Sequence, residues 1–508
     1  MLLAFLFPVA LCALYCLVRG ESLFKLYLPN SINNDCIFYY KLVEGTVSSG
    51  MPRGYFGFDE SRALIGSFAA WNPFIVLPWV VFGKIFGWHY ASVFISNLLF
   101  FSSAFCAFAG MTKIKWEQLL SLIALIALFP SIPIHLLNSL PETTLVSAMI
   151  LFYAFAFTAT AREIKAYSIV GMLVCSAFLT LTRPYMVLLF FVPVFLLAKK
   201  KKTVGVVISV VLMLLSVAGN LIVSHFFTSA YFTPLYNTEP FKQILSGQIR
   251  TGLSSLKYTF IFMTKGMLTY LGDAFSFGMT AGTQYVVAIF GMIALLAAGF
   301  LKDNKEKRFF YLFHSGMIFT IFAAIYILLQ KVNEGGRHIW TFCVAGIFML
   351  CTVEEKIYRR IAVAVLALLL GFFAIRGSFV PTDYDVPFAD EELKAKVNYW
   401  EKVYEEKGIK ASDEISYDNT VIWLLGDYVD GEMVNTDFRE LFSLPEGMGI
   451  NCCGEYYVRT SLNQLKSRYL ALPCGGVIEG MCIEEGWTLV GKTETVAIYE
   501  NTRADKAE

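Results

Sequence analysis

The chain has 508 residues, 56% of them hydrophobic and 16% charged, with a formal net charge of +1 and a mean hydropathy of +0.59. That balance excludes an ordinary soluble globular protein and points to a polytopic membrane protein. A net charge so close to zero also argues against nucleic acid as a partner, because phosphate backbones are bound by concentrated basic surface.

In chain order, apolar runs long enough to cross a hydrocarbon core of about 30 Å recur from the N-terminus to Arg376. Spans are expected near 2–18, 88–111, 117–134, 143–161, 166–182, 184–198, 203–226, 285–301, 309–330, 338–353 and 361–376. These are about eleven transmembrane helices, because only helices satisfy every backbone polar group in lipid without a closed barrel. The first lacks a basic leader and a small-residue cleavage site, so it reads as an uncleaved helix. A polar loop over 20–70 follows and carries NNDCIFYYKLVEG, with Asp35 before Phe38, Tyr39 and Tyr40, and GFDESR, with Asp59 and Glu60. Residues 71–88 are apolar but broken by Pro73, Pro78, Gly83, Lys84 and Gly87, and read as a helix in the membrane interface.

Short loops rich in Lys and Arg are retained in the cytoplasm. Lys113 with Lys115, Arg162 with Lys165, Lys199 to Lys202, Lys302 to Arg308, and Lys356 with Arg359 and Arg360 all fall on one parity, which is therefore expected inside. Arg19 at the far end of the first span opposes this orientation, but five later clusters outweigh one arginine. The loop 20–70, the connection from Pro133 to Glu142, the segment 227–284, the turn at Gly335 and the C-terminal tail then lie outside, in an extracytoplasmic position on the cytoplasmic (plasma) membrane.

Between 228 and 283, Lys242, Arg250, Lys257 and Lys265 alternate with Tyr231, Tyr236, Tyr258 and apolar residues. The pattern fits amphipathic helices lying on the membrane and holding lipid phosphate, and equally a loop that covers the bundle. From Pro381 the sequence turns to that of a small soluble domain of roughly 125 residues, enough for its own core. An amphipathic helix is expected over 389–408, followed by strands in VIWLLG, SRYLALP and TETVAIYE. The expected fold class is an all-α polytopic bundle over 1–380 with a C-terminal extracytoplasmic α/β or α+β domain over 381–508. Cys452, Cys453, Cys474 and Cys482 in that domain fit disulfides or free thiols better than a metal site, since no His is near them.

Ionisable groups close to hydrocarbon are costly and tend to face a cavity or a partner. On the outer side these are Asp35, Asp59, Glu60, Glu142 in SLPETT, Arg183 in LTRPY, and Arg337 with His338 in EGGRH. Singly each has a plain structural role: Asp35 as a helix cap, Glu142 as a first-turn carboxylate after Pro141, the arginines as interfacial anchors. Together they place acid and base on one side.

The order of these pieces resembles the GT-C superfamily of integral-membrane glycosyltransferases, such as the protein O-mannosyltransferases and the aminoarabinose transferases. The carriers of the resemblance are NNDCIFYY in the first outer loop, NPFIVLPWVVFGKIFG as the interfacial segment, Arg183 with Pro184, and Arg337 with His338. The Asp-Glu pair common in that first loop is missing here, where Cys36 follows Asp35. Asp59, Glu60 or Glu142 would then supply a second acid. The resemblance implies an inverting transfer of a hexosyl or pentosyl group from a polyprenyl-phosphate donor to a hydroxyl of a lipid, glycan or protein acceptor. In that chemistry a carboxylate, Asp35, takes the acceptor's proton, and cations meet the departing phosphate. Arg183 and Arg337 are the expected phosphate partners, with His338 and Lys84 assisting. Glu142 would orient the acceptor or bind a divalent metal ion, although no spacing demands a metal. The rival readings are a transporter or flippase of lipid-linked sugars, a polysaccharide polymerase or ligase, and a structural scaffold. A carrier would be expected to show repeated halves and midplane charges, and the sequence shows neither.

Overall fold

The computed structural model describes residues 1–18, 22–23, 34–49, 56–58, 72–89, 91–160, 164–227, 237–277, 281–301, 304–330, 332–377, 418, 420–436 and 449–502. Helices α1 (Leu2–Val18) and α2 (Asn34–Ser49) are followed by a 3-10 turn, Pro73–Val76, that runs into α3 (Leu77–Phe86). Next come α4 (Ser92–Met111), α5 (Trp116–Ala127), α6 (Ser131–Leu136), α7 (Glu142–Thr158), α8 (Ala166–Thr182), a second 3-10 turn (Pro184–Phe190), α9 (Phe191–Lys199) and α10 (Thr203–Phe227). The bundle closes with α11 (Glu239–Leu245), α12 (Ile249–Phe277), α13 (Ala281–Ala298), α14 (Lys305–Ala324), α15 (Val332–Cys351) and α16 (Lys356–Gly377). Four helices, Ser92–Met111, Thr203–Phe226, Lys305–Leu329 and Lys356–Arg376, are long and apolar enough to cross a bilayer. The chain is thus multi-pass, and shorter apolar helices occupy the other positions where spans are expected.

The centre of the bundle is aromatic. Phe101, Phe105 and Phe108, spaced along one face of α4, meet Phe348 of α15 edge to face, with ring centroids at 6.4, 5.1 and 5.1 Å. This geometry suits the ring quadrupole and adds to the gain from burial. Two buried polar devices fix helices that packing alone would leave free to slide. Tyr153 Oη and His314 Nδ1 lie 2.8 Å apart, and His314 Nε2 lies 3.0 Å from the Phe342 carbonyl. Asn97 accepts from Trp79 Nε1 at 2.9 Å and donates to the Leu136 and Asn138 carbonyls at 3.3 and 2.9 Å, tying α3 and α4 to the connection after α6.

Ion pairs gather at one end of the bundle. Glu117 at the start of α5 lies 2.7, 3.6 and 3.9 Å from Arg360, Arg359 and Lys356 of α16. Lys199 pairs with Glu306, and Lys307 with Glu354. These groups come from loops whose positive charge assigns them to a single membrane side, so the tertiary structure brings together what loop parity groups.

Beyond the bundle lies a mixed sheet. Its strands are β1 (Phe56–Phe58), β2 (Thr420–Leu424), β5 (Gly449–Cys453), β6 (Tyr469–Pro473), β7 (Thr488–Lys492) and β8 (Val496–Glu500), while β3 (Gly426–Val429) and β4 (Glu432–Asn435) form a separate hairpin. The order is β1-β5-β2-β6-β8-β7, with β1, β5, β2 and β6 parallel and β8 and β7 antiparallel. Helices α17 (Glu455–Ser461) and α18 (Val477–Glu484) cover one face, where Ile422, Leu424, Leu470, Leu472, Cys453 and Cys482 share an apolar cluster. The edge strand β1 comes from the first loop, and Phe56, Gly57 and Phe58 pair with Ile450, Asn451 and Cys452. The loop expected to carry catalytic acids is thereby stitched to the C-terminal sheet. Cys452 and Cys482 are buried free thiols. Burial, with the Glu479 and Asp427 carboxylates nearby, pushes the Cys482 thiol up to about 12. The helix expected over 389–408 lies outside the described residues.

Candidate active site

Three chain features converge at the end of the bundle opposite the ion pairs. The first is Pro141, which precedes α7 and leaves Glu142 in its first turn, where exposed amides favour a carboxylate. The connection that delivers it is held by its own polar groups. Asn138 Oδ1 accepts from the Leu140 amide at 2.9 Å, and Thr143 Oγ1 donates to the His135 carbonyl at 2.8 Å.

The second is the Arg183-Pro184 step. A residue before proline is pushed out of the helical region, and Arg183 is extended at φ −138° and ψ 107°. The side chain therefore leaves the α8 helix at its last turn. With no amide at Pro184 and the helix ended, the Leu181 carbonyl is taken by Asn72 and Asn220, each donating at 2.8 Å.

The third is the break between α14 and α15. The last turn of α14 widens to a π-turn over Ile325–Leu329, and Gln330 ends it in the left-handed region at φ 54°. Gly335 then lets α15 pass close to α13: a Cβ there would stand 2.3 Å from Tyr285 Oη. That close approach sets the first turns of α15, which carry Arg337, His338 and Trp340.

The result is a buried charge cluster. Glu142 is fully buried, and Arg183 Nη2 donates to its Oε1 at 2.7 Å while Arg337 Nε stands 3.6 Å from the same oxygen. Arg183 Nη1 also donates to Tyr185 Oη at 3.2 Å, and Tyr185 Oη lies 3.1 Å from His338 Nδ1. The Arg337 side chain keeps 23% of its exposure against 8% for Arg183, so Arg337 is the guanidinium that faces outward. Near Glu142, His135 stacks on Trp340 with centroids 4.1 Å apart and planes at 11°. Its Nδ1 lies 2.8 Å from the Ser131 carbonyl, and Trp340 Nε1 donates to Ser131 Oγ at 2.9 Å.

Of the residues expected from sequence, Glu142, Arg183, Arg337 and His338 come together. Asp35 lies in the first turn of α2, one turn before the buried Tyr39; the Asp35 side chain lies outside the described residues, as do Asp59 and Glu60 entirely. Lys84 is exposed near the end of α3, and no contact with the cluster is seen among the described residues. His135, Tyr185 and Trp340 are missing from the sequence expectation. A signal existed for Tyr185, inside LTRPY, and for His135, one of five histidines and seven residues before Glu142. No group of three or more His, Cys, Asp or Glu side chains suited to a metal gathers among the described residues.

Similar folds were found among solved structures. The Archaeoglobus fulgidus oligosaccharyltransferase, in a complex with zinc and sulfate, matches with a TM-score of 0.48 at 13% identity, over 99% of this chain and 73% of that one. ArnT from Cupriavidus metallidurans matches in its apo state at TM-score 0.41 and 12% identity over 98% of both chains, and bound to undecaprenyl phosphate at 0.43 and 11% over 97% of both. Likenesses this distant carry no argument about this chain. No protein-family profile and no curated protein matches the sequence.

Proposed function

We propose that this protein is an inverting membrane glycosyltransferase of the GT-C type. It takes a sugar from a polyprenyl-phosphate donor and passes it to an acceptor hydroxyl on the extracytoplasmic face of the membrane. The observation that carries the reading is the pair of guanidiniums of Arg183 and Arg337, 2.7 and 3.6 Å from one oxygen of a fully buried carboxylate. A buried charge is retained against its desolvation cost where it has a partner or a ligand. Two guanidiniums gathered at one place suit a phosphate monoester or diester arriving from the membrane side.

The reaction forms one bond and breaks one. The acceptor oxygen attacks the anomeric carbon from the face opposite the phosphate, its proton passes to a carboxylate, and the bond from carbon to phosphate oxygen breaks with inversion. Polyprenyl phosphate leaves with the bonding pair, and Arg337, the more exposed guanidinium, meets the developing charge. Glu142 aims and holds both arginines. A carboxylate so engaged is a poor general base, and the base role goes to Asp35, which the resemblance places in the first outer loop. Tyr185 and His338 line the approach to Arg183.

The test is transfer of labelled sugar from polyprenyl-phosphate donors in reconstituted vesicles. Wild type should transfer. Asp35→Asn should lose transfer while retaining donor binding, and Arg337→Ala should weaken donor binding. No transfer by wild type from any donor, with lipid-linked sugar instead moved across the vesicle membrane, would overturn this reading in favour of a carrier.

A further inference from the structure

Two buried acceptor atoms in the cluster have no donor among the described residues. Among the described residues no hydrogen-bond partner reaches Glu142 Oε2 or His135 Nε2, although Glu142 is fully buried and His135 is 5% exposed. The His135 proton is assigned by geometry. Nδ1 faces the Ser131 carbonyl at 2.8 Å, which can only accept, so Nδ1 carries the hydrogen and Nε2 presents its lone pair. That bond holds the ring in this orientation, its plane is set by stacking face to face on Trp340, and the Trp340 indole is pinned by Ser131.

An unpaired buried acceptor is costly, and two within one cluster mark a place that a ligand donor fills. The ligand chemistry follows from the sign of the groups. A phosphate oxygen is an acceptor and gains nothing from a carboxylate and an imidazole lone pair. A cation is disfavoured by the guanidiniums 2.7 and 3.6 Å from Glu142 Oε1. Neutral hydroxyl groups remain, as donors small enough for a closed site.

We propose that His135 is a substrate-binding residue whose Nε2, with Glu142 Oε2, accepts hydrogen bonds from neighbouring hydroxyls of the sugar on the lipid-linked donor. The assignment rests on the glycosyltransferase reading above. It gives the site two parts: the guanidiniums take the phosphate, and the acceptor pair of Glu142 Oε2 and His135 Nε2 reads the sugar. His135 lies at a fixed distance from the arginines because α6 is tied to α7 through Thr143 and to α15 through Ser131 and Trp340.

The experiment measures binding to full-length protein in nanodiscs with three probes: polyprenyl phosphate, polyprenyl-phosphate glucose and polyprenyl-phosphate mannose. His135→Phe keeps a flat ring against Trp340 and removes the lone pair. The expected result is a loss of about 3- to 10-fold in affinity for the preferred sugar-bearing lipid, with affinity for polyprenyl phosphate unchanged. His135→Gln, which retains an acceptor, should recover most of the loss, and a monodeoxy donor should lose affinity in wild type but not in His135→Phe. Equal losses for all three probes would show a structural role only, and unchanged binding of every probe would show that a buried water alone occupies the position; either overturns the proposal. Wild type that binds sugar-bearing lipids no better than polyprenyl phosphate also overturns it, while leaving the phosphate-binding reading standing. Failure of wild type to bind any of the three would overturn the function on which it rests.

Discussion

Glu142→Gln isolates the charge that holds the cluster together. The amide keeps the volume and the first-turn position but removes the countercharge of Arg183, whose side chain is 8% exposed, and of Arg337, at 23%. Stranding a buried guanidinium costs about 3 to 5 kcal/mol. Arg337 reaches a wetter environment, and its pairing at 3.6 Å adds roughly 1 kcal/mol or less. The variant should thus lose about 3 to 5 kcal/mol, nearly all of it through Arg183. Arg183→Met should lose less, because Glu142 keeps Arg337 at 3.6 Å. The double variant should lose clearly less than the sum, with a coupling of about 2 kcal/mol or more, since neither buried charge is then left alone. The assay is reversible unfolding in mixed micelles, followed by tryptophan fluorescence, for wild type, both singles and the double. Polyprenyl phosphate supplies the missing negative charge, so it should stabilise Glu142→Gln more than it stabilises wild type. A Glu142→Gln protein within 1 kcal/mol of wild type, or singles that add without coupling, would refute the claim that the pair is buried and mutually dependent.

Other consequences can be checked separately. Tyr153→Phe leaves His314 Nδ1 without its partner at 2.8 Å and should cost about 1 to 3 kcal/mol in the same unfolding assay; replacing both residues by apolar ones should cost less than the two single changes added. In the C-terminal domain, burial raises the Glu479 carboxyl. Bonds from Lys492 Nζ, the Gly475 amide and Tyr499 Oη outweigh that and hold it below its ordinary value. A depressed folded value means stability that is complete above an unfolded value of about 4.3 and is lost as pH falls through the folded one. Hydrogen exchange over 469–500, corrected for its intrinsic pH dependence, should lose protection on acidification below about pH 4, and Glu479→Gln should flatten that response. Phe58→Pro should break the pairing of β1 with β5, raising protease cleavage between residues 50 and 72 and lowering sugar transfer while leaving the bundle folded by circular dichroism.

Much of the architecture can be read without coordinates, because bilayer physics leaves few choices. A run such as 203–226 is mostly apolar and in lipid must satisfy its backbone internally, so it becomes a helix, and α10 forms there. The strands at VIWLLG, SRYLALP and TETVAIYE appear as β2, β6 and β8 for the same local reason, their continuous burial on both faces of a sheet. Pro141 and Pro184 also act through their own chemistry, one opening α7 at Glu142 and the other ejecting Arg183 from α8. Such features depend on residues within a turn of one another.

Partnerships across the chain are another matter. Nothing local relates Glu142 to Arg183 or Arg337, which lie 41 and 195 residues away along the sequence; their meeting depends on how α7, α8 and α15 pack. Loop parity groups them on one side of the membrane, but only packing converts a shared side into contacts of 2.7 and 3.6 Å. His135 shows the limit most clearly, because what sets it apart is a lone pair with no donor among the described residues, and whether a ring nitrogen is satisfied depends on every group that surrounds it. The same holds for β1, a three-residue strand whose sequence, FGF, says little until β5 offers it an edge. Composition and periodicity thus determine that the chain enters the membrane as helices and ends in a small domain, since each step follows from solvation of the local backbone. The tertiary structure decides which charges are buried together and which donors they lack, since those depend on distances between segments that the chain connects only through the fold.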